Sequence, residues 1–325
     1  MTINSTAYDS VTKPTRVAAI LGAMFITLFY IESVIGNVWI LFVILTRKSM
    51  WNVMNFFVVS LCFNELLSAN LNVLFVIDSY VWYEWTAGDI MCKLNPEFIM
   101  LFTGISAWHV AFMALHICIV VYHNNVNEKI SWKVYVTIIL IISRLVPFIT
   151  FIPSTNLETS FYAPKFLRCI LRPNQSARIM QVAILHTFVP CTIIILCYIL
   201  VYGYAKTVKH VKISALIPHT EVQITKAFGV IFLVTHLCFL PFTIVRSIDK
   251  HSHVHNDMYV FVTVLYCIGT CSYPLIYVTI CTEIRDACRS CFTAAMKKRI
   301  RPSFETISQH VQLESIDFRS ILGQD

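Results

Sequence analysis

The chain has 325 residues, 57% of them apolar and only 13% charged, with a formal net charge of +7. A soluble domain of this size carries about 25% charged residues. That excludes a water-soluble globular protein and points to a polytopic membrane protein whose spans form one bundle; no nucleic-acid partner is expected.

The first 16 residues have no apolar core, so they are expected to be an extracellular N-terminus, with the first span directing insertion. Seven apolar segments follow: Val17 to Leu45, Val53 to Val81, Asp89 to Tyr122, Trp132 to Ile152, Ile179 to Tyr204, Ile224 to Ile248 and Met258 to Cys281. Each is long enough to cross a ~30 Å hydrocarbon core, and none alternates with the period of a barrel strand. The expected fold class is an all-α membrane protein, a seven-transmembrane helix bundle over 17–281. A short amphipathic membrane-surface helix is expected over 282–296, and a disordered cytoplasmic tail over 297–325.

With the N-terminus outside, the inner segments hold fifteen Lys and Arg and the outer segments nine, as the positive-inside bias requires. The glycosylation sequons at Asn4 and Asn174 then both lie outside. Of the twelve cysteines, most fall inside spans and read as small buried hydrophobes. Cys92 and Cys169 lie at external positions in an oxidising compartment and are the expected disulfide pair. After the seventh span, Ile284, Ala287, Cys288, Cys291 and Phe292 share one helical face, opposite Arg and Lys. That face reads as lying on membrane lipid, with Cys288 and Cys291 either palmitoylated or free thiols.

Short motifs from the first span to the seventh, the fourth excepted, resemble the rhodopsin-like (class A) G-protein-coupled receptors. They are Gly36-Asn37, Asn55 to Leu67, Trp85 with Cys92, Phe188-Val189-Pro190 with Tyr198, Cys238-Phe239-Leu240-Pro241, and Tyr273-Pro274-Leu275-Ile276-Tyr277. The resemblance implies a plasma-membrane receptor, not an enzyme, with an extracellular ligand, a heterotrimeric G protein and arrestin as partners and no cofactor. Pro190, Pro241 and Pro274 are expected to bend their helices. Such bends let the helices pivot.

The chain also departs from the family pattern. Glu65 stands where the family has Asp. The resemblance implies either a sodium site shared with Ser106 or a protonated carboxyl bonded to Asn37 or Ser106; Gly269 and Tyr273 replace the usual Asn neighbours. His116-Ile117-Cys118 stands in place of Asp/Glu-Arg-Tyr, so Glu221 at the foot of the sixth span, expected to be exposed, has lost its partner. With Ile99 where amine receptors carry Asp, the expected pocket of Ile99, Met100, Thr103, His186, Phe239 and Phe242 suits a lipophilic small molecule or a peptide.

Val182 to Tyr198 also resembles the fifth helix of melatonin-type receptors, with His186 as either a pocket histidine or a satisfied interior one. Outer Lys165, Arg168, Arg172, Arg178, Arg246 and Lys250 favour an acidic ligand. Arg144 serves a ligand anion or snorkels to the interface, and Glu97 faces the vestibule or the loop. The run His251 to His255 binds a metal or is simply exposed; no metal site is expected. The competing reading is a receptor-like protein that binds ligand or heterodimerises but couples poorly, because Ile117 replaces the Arg. A transporter lacks its matching halves.

Overall fold

A computed structural model describes residues 13–122, 132–151, 160–172, 176–207, 219–248 and 254–293. α1 is Arg16–Thr46 and α2 is Val53–Trp82, interrupted by a π-helical turn at Ala69–Val73. α3 is Gly88–Tyr122 and α4 is Trp132–Phe151. α5 runs through Ser176–Ala183, a π-turn Ile184–Phe188 and Val189–Thr207. α6 is His219–Ile248, and α7 is the pair Asn256–Cys271 and Tyr273–Ile280. α8 covers residues 282–293. Six of these helices are long and apolar enough to cross a membrane, and α7 makes a seventh if its two parts are one span. These are the helices of a seven-helix bundle.

The two parts of α7 meet at 46°. Ser272 is the joint, followed by Pro274 in the first turn of the second part, where its missing N–H costs nothing. The expected bend at Pro274 is therefore a break two residues earlier, at Ser272. In α5 the irregularity is the π-turn ending just before Pro190. α6 continues as one helix through Pro241. The π-turn in α2 has no proline to announce it.

α3 is the hub. It packs on α2, α4, α5 and α6, while α7 packs on α6 and α1, and more of its apolar length is buried than in any other described span. Small residues set the closest approaches. A Cβ on Gly36 would lie 2.4 Å from Pro274 Cβ, so Gly36 lets α1 meet α7. A Cβ on Gly104 would lie 1.9 Å from His186 Nδ1, so Gly104 lets the histidine of α5 lie against α3. At the inner end one core joins all helices but α8's outer face: Ile117, Ile194, Phe228, Tyr277 and Ile284 are among its buried members.

The outer end holds an element that the apolar periodicity did not show. β1 (Ser160–Ala163) and β2 (Arg168–Leu171) form an antiparallel hairpin, with Tyr162 opposite Cys169. Its turn drops into the mouth of the bundle. Phe166, Leu167 and Arg168 are all buried, and Leu167 takes a left-handed φ of 48°. Ser79 of α2 donates to the Leu167 carbonyl, which fixes the depth of the turn.

α8 corrects another expectation. Its face of Ile284, Ala287 and Cys288 is buried against the inner core; only Phe292 of that face is exposed. Cys288 is thus enclosed by protein, and burial pushes its thiol above the ordinary range, which disfavours the thiolate that acylation needs. Cys291 accepts from Arg47, Nη2 to Sγ 3.1 Å. Asn4, Asn174, Lys250, His251 to His253 and the tail lie outside the described residues.

Candidate functional site

The site is a column of polar and aromatic side chains running down α3 between α2, α6 and α7. At its top, the Cys92–Cys169 disulfide joins α3 to β2, Cα to Cα 5.2 Å. The entry to α3 is shaped by Gly88 at φ 77°, whose carbonyl accepts from the Trp85 indole at 2.9 Å.

Below the hairpin lies a ring cluster. Phe239 and Phe242 of α6 stack at 6.0 Å, and both face Tyr266 of α7, at 5.6 and 6.3 Å. Phe166 from the hairpin packs on Phe242 at 5.5 Å and on Tyr259 at 4.5 Å. Ile99 packs against the same buried cluster as Phe239, and Thr103 lies beside Tyr266. Of the six expected pocket residues, these four gather.

His186 does not join them. Its Nε2 lies 2.8 Å from Thr150 Oγ1 of α4, and its ring covers Gly104. It is an interior histidine of the α3–α4–α5 seam. Met100 is half-buried. Glu97 is buried rather than open to the vestibule.

Halfway down, Glu65 Oε1 accepts from Ser106 Oγ at 2.8 Å and from Asn64 Nδ2 at 3.2 Å, and Asn64 also donates to Ser106 at 2.9 Å. An acid at this depth is tolerated only when turned inward and hydrogen-bonded. Of the two expected partners, Ser106 is the one that binds it. Asn37 instead donates to Ser33 within α1, at 2.9 Å to the carbonyl. Asn64 is a partner that motif matching passed over. Tyr273 meets Thr235 of α6 at 3.0 Å.

A second interior node was also missed. Arg144 donates through Nη1 to the Leu140 carbonyl at 2.8 Å and through Nη2 to Ser60 Oγ, and Ser60 Oγ lies 2.8 Å from His109 Nε2. His109 Nδ1 is 3.1 Å from the Ile105 carbonyl. A carbonyl only accepts, so Nδ1 carries the proton. Nε2 is then the acceptor, Ser60 donates to it, and the serine oxygen accepts from Arg144. Arg144 therefore neither snorkels outward nor reaches the outer vestibule. It ties α4 to α2 and, through Ser60, to α3.

At the inner end, His116, Ile117 and Cys118 are all buried. His116 Nδ1 lies 3.0 Å from Tyr135 Oη, and Cys118 Sγ lies 3.9 Å from the Cys197 carbonyl. These residues, expected on a G-protein face, lie under the surface of this conformation, with Ile117 in the apolar core. Glu221 is half-buried rather than exposed, and its Oε2 has no hydrogen-bond partner. Tyr277 is buried against Phe228 at 5.8 Å. Tyr198 is 44% exposed and reaches the Thr225 carbonyl at 3.5 Å. What fastens α6 here is Gln223, whose Oε1 accepts from Thr282 N at 3.0 Å and Thr282 Oγ1 at 2.9 Å at the start of α8.

The family described as "7 transmembrane receptor (rhodopsin family)" matches residues 36–277. The chain is 23% identical to "Melatonin receptor type 1B-A" of Danio rerio over 238 residues, 72% of this chain and 82% of that one. It is 22% identical to "Probable G-protein coupled receptor 63" of Homo sapiens over 362 aligned positions, 93% of this chain and 83% of that one. Among solved structures, squid rhodopsin superposes with a TM-score of 0.75 at 17% identity, covering 90% of this chain and 91% of that one.

Proposed function

This chain belongs to the rhodopsin family of seven-transmembrane receptors, and from that membership we propose that it transmits an extracellular, non-amine ligand signal across the plasma membrane to a heterotrimeric G protein. Its N-terminus is outside and its α8 inside, as the Lys and Arg distribution favours. The ligand is a lipophilic small molecule or a peptide. Ile99 offers no carboxylate for an amine. The relatives named for melatonin fit a non-amine ligand, although His186, turned to Gly104 and Thr150, lends that likeness nothing.

The observation that carries the reading is the ring cluster under the hairpin. Phe239 and Phe242 of α6 interlock with Tyr266 of α7, six residues before the 46° break at Ser272. A ligand that repacks these rings shifts α6 against the upper part of α7, whose lower part already diverges from it by 46°. Tightly packed interfaces of this kind switch between discrete arrangements rather than deforming smoothly.

A second reading has its own observation. Ile117 lies in the apolar inner core, and among the described residues no ion pair joins α3 to α6. A protein of this kind binds ligand or heterodimerises but couples poorly. Both are tested by expressing the parent chain and Ile117→Arg in cells and recording basal and extract-stimulated G-protein activation alongside surface abundance. A parent that signals supports the receptor reading. Signalling by Ile117→Arg alone supports the second. Silence of both chains at normal surface abundance would sink the signalling function.

A further inference from the structure

The hairpin carries two cations into the bundle. Arg168 is 3% exposed and Lys165 is 6% exposed. The Arg168 guanidinium lies 5.7 Å from the ring centres of both Phe242 and Tyr266, with Tyr80 of α2 and Cys267 of α7 around it. Its Nε has no hydrogen-bond partner, and among the described residues no carboxylate pairs with it. On the other side of Phe166, Lys165 Nζ donates to Tyr259 Oη at 3.3 Å and sits 5.0 Å from that ring centre.

A buried guanidinium is costly when unpaired. Ring faces return only a fraction of the lost hydration. Sequence neighbours explain why the arginine goes inside at all: Cys169, bridged to α3, holds β2 against the bundle, and Leu167, fully buried, leaves the next side chain facing α6 and α7. The chain thus holds a forked guanidinium donor among aromatic rings, at the mouth of a receptor bundle, with no carboxylate beside it among the described residues.

We propose that Arg168 is the head-group anchor of the ligand site, and that the ligand is an amphiphilic monoanion whose carboxylate pairs with Arg168 while its apolar body lies on Phe239, Phe242 and Tyr266. The proposal rests on the receptor reading above and names its ligand class. Arginine suits the task because its planar fork binds a carboxylate through two parallel hydrogen bonds. Lys165 adds positive potential beside it without a second fork. The ligand reaches the guanidinium by displacing the hairpin turn at residues 164–167, leaving the disulfide at Cys169 intact.

The test uses the full-length receptor purified in a non-ionic detergent, with decanoate, decanol and decylamine as probes of equal chain and different head. Decanoate is expected to raise the melting temperature by about 2–4 °C, and the alcohol and the amine to leave it unchanged. Arg168→Met is expected to remove the decanoate shift and to raise the melting temperature of the ligand-free receptor, because it replaces an unpaired buried cation with an apolar chain of similar length. Arg172→Gln, on the exposed rim, is expected to keep the parent response.

Equal shifts with decanol, or a decanoate shift that survives Arg168→Met, overturn the proposal. Should Arg168→Met not fold, Arg168→Lys decides. A point charge in place of the fork is expected to weaken decanoate roughly 10-fold while keeping the preference for the anion, and unchanged affinity overturns the assignment. Head-group selectivity in the melting assay with no G-protein activation in cells leaves this site standing and removes the signalling reading instead.

Discussion

The two ends of the bundle are fastened by opposite chemistry. The outer end is covalently tied at Cys92–Cys169 and carries two buried cations among aromatic rings. The inner end has a broad apolar core, with His116–Tyr135 and Gln223–Thr282 as neutral hydrogen bonds and no ion pair between α3 and α6 among the described residues. The outer end thus offers the charge that the proposed ligand would pair with at Arg168, whereas the inner end is fastened by neutral contacts. On the proposed receptor reading, ligand binding works by repacking the neutral contacts that join the described helices below.

Breaking the outer tie should have the largest effect. The disulfide closes a loop spanning 77 residues, and cross-linking a loop of that length is worth about 4 kcal/mol. Cys169→Ala or Cys92→Ala should remove most receptor from the cell surface, read by labelling intact cells. Surface abundance and ligand response equal to the parent in both variants would refute the tie.

The next effect sits between the two ends. With a Cβ only 1.9 Å from His186 Nδ1, Gly104→Ala overfills the α3–α5 seam and should cost ~1–3 kcal/mol, seen as a lower melting temperature. The double variant with His186→Ala should recover part of that loss. A double variant as unstable as the sum of the two singles would show that the glycine matters for some other reason.

A similar cost is expected at Ser60. Ser60→Ala leaves His109 Nε2 without its donor and Arg144 without its serine acceptor, a loss of about 1–3 kcal/mol for buried polar groups. Reduced thermal stability with unchanged surface charge and unchanged ligand preference would place this node on the structural side of the comparison. A shift in ligand head-group preference would instead make Arg144 part of the outer site.

The sequence states the helices well because length and hydropathy decide spans; the resemblance names Cys92, Glu65 and Ser106 because fixed motifs carry them, and Cys169 follows from its position outside the spans. It fails where two environments look alike to a side chain. An apolar helix face suits lipid and protein interior equally, so Ile284, Ala287 and Cys288 read as a lipid face although they pack on the core. Lys165 and Arg168 read as charges lining an outer vestibule, and Arg144 as a ligand or interface charge, because their burial depends on rings and hydroxyls from distant helices. His186 matched a pocket motif, yet the π-turn at Ile184–Phe188 carries it and its side chain faces Gly104. No local pattern announces that turn, nor the one in α2.

The smallest predicted effect bears on the inner end. Gln223 holds the foot of α6 to the start of α8, and both bonds use its Oε1 as acceptor, from Thr282 N and Oγ1. Removing one such neutral contact costs about 1 kcal/mol, roughly a fivefold shift in the balance between closed and open α6. Gln223→Ala should raise basal G-protein activation by about that factor. Gln223→Glu keeps the acceptor and puts a negative charge at a helix N-terminus, which favours it, so it should hold basal activation at or below the parent's. The pair of variants separates a lock from mere packing, since Ala and Glu both remove the amide but only Ala removes the acceptor. Equal basal activation by the two would mean that the Gln223–Thr282 contact does not restrain α6, and would leave the apolar core of Ile117 and Phe228 to hold its foot.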